Sequence, residues 1–191
     1  MEHNKEKVDR RVLYTKMFLR ESLLTLMQEK PISKITPTEL CRHADINRNT
    51  FYTHYDSPEA LLLSIENELY EQVRHSVEHL LKNGNTVALL KEICQVILDN
   101  GDLCKILFSD FGDKDFLSRI INIAYDKSVA EWREAGMKYD KEQLEMLYAF
   151  SANGSISIIQ KWIQNGMKSS PQDLACFIDK VTNSGIQAFF Q

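Results

Sequence analysis

Glycine and proline are scarce in this chain: seven and four among 191 residues, with no glycine before residue 84. Cysteine is scarce too. Cys41, Cys94, Cys104 and Cys176 stand far apart with no C-x-x-C pair, which excludes a zinc knuckle or a disulfide framework and leaves them as small apolar fillers. No apolar run approaches bilayer length. The longest uncharged stretch, residues 146–160, contains Asn153 and several serines, whereas a crossing needs ~20 mainly apolar residues. The opening Met1-Glu2-His3-Asn4-Lys5-Glu6-Lys7 has no apolar run behind its charges, so a secretory signal is not expected and the sequence reads as cytoplasmic, without a membrane partner. Period-two alternation and hairpin signals are missing, which removes the need for strands. Nucleophile elbow, phosphate loop and dinucleotide fingerprint are missing as well, so neither an enzyme nor a cofactor is expected.

What remains is the ordinary balance of a globular protein, 43% apolar and 26% charged, which argues against disorder, collagen or a coiled-coil rod. The net charge of -4 is uneven. Residues 1–55 carry +3 and residues 56–191 carry -7, a mildly basic head on an acidic body. Helix starts are legible: Thr36-Pro37-Thr38-Glu39 joins an N-cap, a first-turn proline and a capping-box glutamate, and Ser57-Pro58-Glu59 and Ser170-Pro171-Gln172-Asp173 repeat the arrangement. Gly84, Gly101, Gly112, Gly136 and Gly166 each follow a helical pattern and read as left-handed stops. The spacing predicts helices over about 9–28, 37–44, 48–55, 58–82, 86–100, 103–108, 114–135, 141–165 and 171–190. The first would bury Thr15, Phe18, Leu19, Ser22, Leu23 and Leu26. The fold class is all-α: an N-terminal helix-turn-helix domain of three helices, residues 1–56, and a C-terminal helical ligand-binding and dimerisation domain, residues 57–191.

Residues 37–55 carry the chemistry. Two short helices joined by Asp45-Ile46-Asn47 have helix-turn-helix proportions, with Asn47 able to cap the second and Leu40, Ala44, Ile46 and Phe51 able to lock the pair. The exposed set is then Arg48, Asn49, Tyr52 and Thr53, with Thr50 and His54 turned toward the flanking backbone. Arginine pairs with the O6/N7 edge of guanine and asparagine with adenine, while Thr, Tyr and His can donate to phosphate.

The stretch from Ile35 to Tyr55, especially Thr50-Phe51-Tyr52 followed by His54-Tyr55, resembles the signature of the TetR family of transcriptional regulators. The resemblance covers about residues 10–65. It implies that Arg48, Asn49 and Tyr52 match base-reading positions, and that Thr36, Thr50 and His54 match positions touching phosphates. Thr38 and Ser57, at the starts of two helices, complete the phosphate candidates. Asp45 stands where the family usually has glycine, and Pro58 where it tends to have a phosphate-binding lysine. Asp tolerates the left-handed turn better than most residues. Lys5, Lys7, Arg10 and Arg11 form either a backbone-touching arm or a solvated tail.

Helix-turn-helix readers commonly bind as twofold dimers. Gly154 and Gly185 sit inside helix patterns at ~1 kcal/mol each relative to alanine, which suggests close packing of the last two helices. Gly154, Ser155, Ile158 and Trp162 with Ile178, Val181 and Gly185 are the candidate dimer interface; the same residues would also serve as intramolecular core. The segment from Gly154 to Met167 looks like the end of one TetR regulatory subgroup. The family resemblance further implies a pocket for a small effector, for which Tyr70, Arg74, Phe111 and Tyr148 are the candidates. Two other readings compete. His75-Ser76-Val77-Glu78-His79 matches H-x-x-E-H, but no third zinc ligand is evident, so no metal is expected. A helical dimer that binds protein rather than DNA is the alternative function. The leading expectation is a homodimeric regulator, probing a palindromic double-stranded DNA operator as a repressor and released by a small-molecule effector.

Overall fold

The computed structural model of the protein describes residues 10–80, 86–109, 112, 114–123, 125–134 and 136–186. All regular structure among these residues is helical. The α-helices are α1 Arg10–Met27, α2 Pro37–His43, α3 Arg48–Tyr52, α4 Pro58–Leu80, α5 Thr86–Asp99, α6 Gly101–Leu107, α7 Lys114–Asn122, α8 Tyr125–Glu134, α9 Lys141–Gln164 and α10 Pro171–Ile186. A short 3-10 turn, Ile32–Lys34, precedes α2 and has no counterpart in the sequence reading.

The chain divides into two compact units: Met1–Glu68 with Ser109–Gly112, and Leu69–Phe108 with Asp113–Gln191. The division falls inside α4, whose first turns bury Leu61, Leu62 and Ile65. Leu19, Leu23, Leu40 and Phe51 are fully buried there too. Each such side chain contributes ~1.5–3 kcal/mol relative to exposure. Of the face expected for α1, Leu19, Ser22, Leu23 and Leu26 are buried, but Phe18 is exposed with Tyr14 stacked on it at 6.5 Å between centroids.

In the second unit α10 packs chiefly on α5. One buried cluster joins Val73 and Val77 of α4 to Leu89 of α5, and another joins Met137, Leu144 and Ile186. The helix expected over 114–135 is two. The Ile123 amide donates to the Ile120 carbonyl at 3.3 Å, a bond of 3-10 type that ends α7, and no glycine or proline marks the place.

Helix ends follow the expected chemistry with two exceptions. Gly136 and Gly166 have φ of 100° and 79°, the left-handed stops their positions predict, whereas Gly84 lies outside the described residues and Gly112 occupies a bend. Gly101 instead opens α6. Its lack of a side chain leaves room for Met167, whose Cε stands 3.0 Å from where a Cβ would be. The second exception is at α2. Thr36 Oγ1 accepts from the Glu39 amide as a cap should, but the Glu39 carboxylate does not close a capping box; it takes the Lys30 ammonium at 2.7 Å. The reciprocal box is at α9, between Asp140 and Gln143.

Candidate nucleic-acid interface and cavity

The turn between α2 and α3 is set by Asp45, whose φ of 52° is left-handed. With that residue in place, the Ile46 amide donates back to the Cys41 carbonyl at 2.9 Å and the Ala44 amide to Leu40 at 2.9 Å, closing α2. The chain leaves the turn through Asn47, whose Oδ1 accepts from the Asn49 amide at 2.8 Å and so starts α3. Leu40, Cys41, Ala44 and Phe51 are buried beneath the pair and Ile46 is half-buried. Lys30 anchors α2 through Glu39, and the Lys30 hydrogen bond holds the Glu39 carboxyl below its ordinary range.

Above this base Arg48, Asn49, Tyr52 and Thr53 are all exposed, with Thr50 and His54 half-buried at the flanks. Arg48 and Tyr52 lie one turn apart, and the guanidinium stands 5.9 Å from the ring centroid, a cation–π contact that holds both on one side of α3. Arg48 enters no ion pair among the described residues, so its donors remain open to an acceptor. The hydroxyls of Thr36 and Ser57 accept from backbone amides, of Glu39 and Ala60, which leaves each O–H proton available to a phosphate oxygen. Thr38 is exposed on the first turn of α2. Thr53 differs from expectation: α3 ends at Tyr52, Thr53 is its C-cap, and its hydroxyl donates to the Thr50 carbonyl at 2.7 Å. What it presents outward is a methyl group and an acceptor oxygen.

The second unit holds a cavity of about 230 Å³. Its lining draws on α4, α5, α7, α8, α9 and α10 and includes Leu89, Ile93, Trp132, Tyr148 and Ile159. Of the four effector candidates, Tyr148 lines it. Tyr70 does not, and packs against the Arg119 guanidinium at 4.8 Å; Arg74 does not, and pairs with Glu71 and Glu78. Phe111 lies outside the described residues. Helical periodicity marked the aromatic residues but not the small polar ones, Ser151, Ser155, Thr182 and Asn183, which also line the cavity. Burial pushes the Tyr148 phenol up to about 12, so it stays neutral.

The seven dimer candidates separate by exposure. Gly154, Val181 and Gly185 are exposed and Ile158 is half-buried; a Cβ built on either glycine would meet nothing within 4 Å. Trp162 and Ile178 are core: Trp162 is buried with Nε1 donating to the Ser169 carbonyl at 3.0 Å, and Ile178 is fully buried. Ser155 lines the cavity and donates to the Ser151 carbonyl. The exposed large apolar residues among the described residues of α9 and α10 are Met146, Phe150, Phe177 and Val181, Phe150 at 73%. As for the H-x-x-E-H motif, His75 is exposed, Glu78 is held by Arg74, and the side chain of His79 lies outside the described residues. Among the described residues no group of three His, Cys, Asp or Glu side chains could hold a metal, and no helix is long and apolar enough to cross a membrane.

A capped five-residue helix presenting arginine, asparagine and tyrosine above a packed turn defines a helix-turn-helix DNA-binding protein with a separate all-helical unit. The TetR family description "Transcriptional regulator C-terminal region" matches residues 84–184, and the chain belongs to the TetR family of transcriptional regulators. It is thereby a DNA-binding transcriptional regulator. Solved structures agree on the fold. A TetR transcriptional regulator from Streptococcus agalactiae 2603V is 26% identical, with a TM-score of 0.64, covering 91% of this chain and 96% of that one. The fatty acid degradation regulator FadR from Bacillus halodurans is 11% identical, TM-score 0.65, covering 88% and 94%. Thermus thermophilus FadR, solved with lauroyl-CoA, is 18% identical, TM-score 0.54, covering 90% and 94%. No curated protein matches the chain.

Proposed function

We propose that the protein is a cytoplasmic homodimeric repressor that reads a palindromic operator through α3 and leaves it when a small molecule enters the cavity of the second unit. The observation that carries the reading is the outward set on α3: Arg48 with open donors, Tyr52 held beside it, and Asn49 one residue on, all above a buried Phe51. Arg48, Asn49 and Tyr52 take the base edges, while Thr36, Thr38, Thr50, His54 and Ser57 take phosphates. Thr53 contributes its methyl group, suited to thymine rather than to a hydrogen bond.

Dimerisation supplies the second reading head. The open sides of Gly154 and Gly185, beside exposed Phe150, Phe177 and Val181, support a face on α9 and α10 that a second copy covers. Helix α4 supports the coupling, because its early residues Leu61, Leu62 and Ile65 are buried in the first unit and its later residues Val73 and Val77 line the cavity. An effector that fits a cavity shape incompatible with operator spacing weakens DNA binding by the same free energy that DNA costs the effector, typically ~1–3 kcal/mol.

Mobility-shift titration of duplexes taken from the DNA flanking its own gene tests the reader. Arg48→Ala and Tyr52→Ala should each lower operator affinity by ~1–3 kcal/mol while sedimentation and helicity stay unchanged. Unchanged affinity in both variants would remove α3 from the interface.

A further inference from the structure

We propose that the cavity of the second unit takes a small organic cation: an apolar or aromatic body carrying a protonated or quaternary nitrogen. This rests on the reading of that cavity as the effector site, and specifies the chemistry it accepts.

Four polar side chains of the lining, Ser151, Ser155, Thr182 and Asn183, spend a donor on their own helix. Ser151 Oγ donates to the Leu147 carbonyl at 2.9 Å, Ser155 Oγ to the Ser151 carbonyl at 2.7 Å, and Thr182 Oγ1 to the Ile178 carbonyl at 2.8 Å. Each hydroxyl proton is therefore committed to its own helix, and the oxygen lone pairs are what a ligand meets. Asn183 likewise directs its amide nitrogen to Asp179 Oδ1 at 2.6 Å. Glu131 is the one charged side chain among the described lining residues; lysine, arginine and histidine are absent from that set. No hydrogen bond or ion pair joins Glu131 to any described residue, and no other charged side chain stands among the described lining residues.

The aromatic geometry favours the same ligand. Trp132 and Tyr148 both line the cavity with ring centroids 6.3 Å apart, and Tyr125 sets its edge against Tyr148 at 5.1 Å. Ring faces attract cations, and Trp is the strongest of the three side chains in this respect. An anionic ligand would instead bring its charge against a carboxylate and several lone pairs with no described cation to offset the desolvation. The cavity, about 230 Å³, lies below the ~300–1,000 Å³ of drug-sized sites, so the molecule is small.

Calorimetric titration of the full-length protein with 4-phenylbutylammonium, 4-phenylbutanol and 4-phenylbutyrate varies charge on one skeleton. The ammonium should bind at least about tenfold tighter than the carboxylate, with the alcohol between them. Glu131→Gln should remove most of the ammonium's advantage and leave the alcohol within about twofold, which also shows that the variant is folded. A carboxylate that binds as well as the ammonium, or an advantage that survives Glu131→Gln, overturns the proposal; so does failure of all three to bind. In that last case a protein that still retards operator DNA leaves the regulator reading standing, whereas one that ignores DNA removes that reading separately.

Discussion

Asp45 shows how much a single backbone angle decides. A left-handed φ costs an L-residue ~1–2 kcal/mol and a β-branched one more, yet without it the Ile46 amide could not reach Cys41 and α3 would leave in another direction. Asp45→Gly should therefore be neutral to ~1 kcal/mol stabilising in urea denaturation, its relief of strain partly offset by a freer unfolded chain. Asp45→Val should cost ~1–2 kcal/mol, and a harmless valine would show that the turn is not under this constraint. The turn was legible because its residue types state their roles: an αL-tolerant residue, an apolar plug and an Asn cap. The fates of Thr53 and Glu39 were not. Both depend on which of two nearby partners the side chain takes, Thr50 carbonyl over DNA-facing solvent and Lys30 over the Thr36 amide, and one-dimensional spacing contains both options.

At the scale of elements, the starts were readable and the breaks were not. Ser or Thr before Pro locates α2, α4 and α10 because a capping oxygen and a preset φ act within four residues. Between α7 and α8 neither glycine nor proline announces a break. Lys30 and Glu39 tie α2 to the segment that precedes it, and this yields a pH prediction. The folded-state value of Glu39 lies below a glutamate's ordinary 4.5, so the pair stabilises the fold above that value and its contribution fades as pH falls through the lower folded value. Lys30→Met should destabilise the protein near neutral pH, and the difference from the natural protein should shrink at about pH 3. A gap in denaturation midpoint that is the same at both pH values would show that Lys30 acts through packing alone.

For the whole molecule, the proposed twofold pairing would turn one weak reading head into a specific one. Gly154 and Gly185 have open sides and Phe150 and Val181 are exposed, whereas Trp162 and Ile178 are buried within the chain; periodicity marks a helix face without naming what covers it. Phe150→Lys and Val181→Asp should each shift sedimentation from dimer toward monomer and weaken operator binding at least about tenfold, since untethered heads lose the effective concentration that the second half-site offers. A monomeric variant with undiminished affinity would contradict the linkage of pairing to recognition. The most direct measurement is selection of binding sites from random duplexes, by the natural protein and by Arg48→Ala, with affinity followed against salt. The account predicts a twofold-symmetric sequence, binding that weakens with salt through the net positive charge of residues 1–55, and an Arg48→Ala preference relaxed at one symmetric pair of positions. Enrichment of no sequence at low ionic strength, or an identical sequence at identical affinity for the variant, would contradict it.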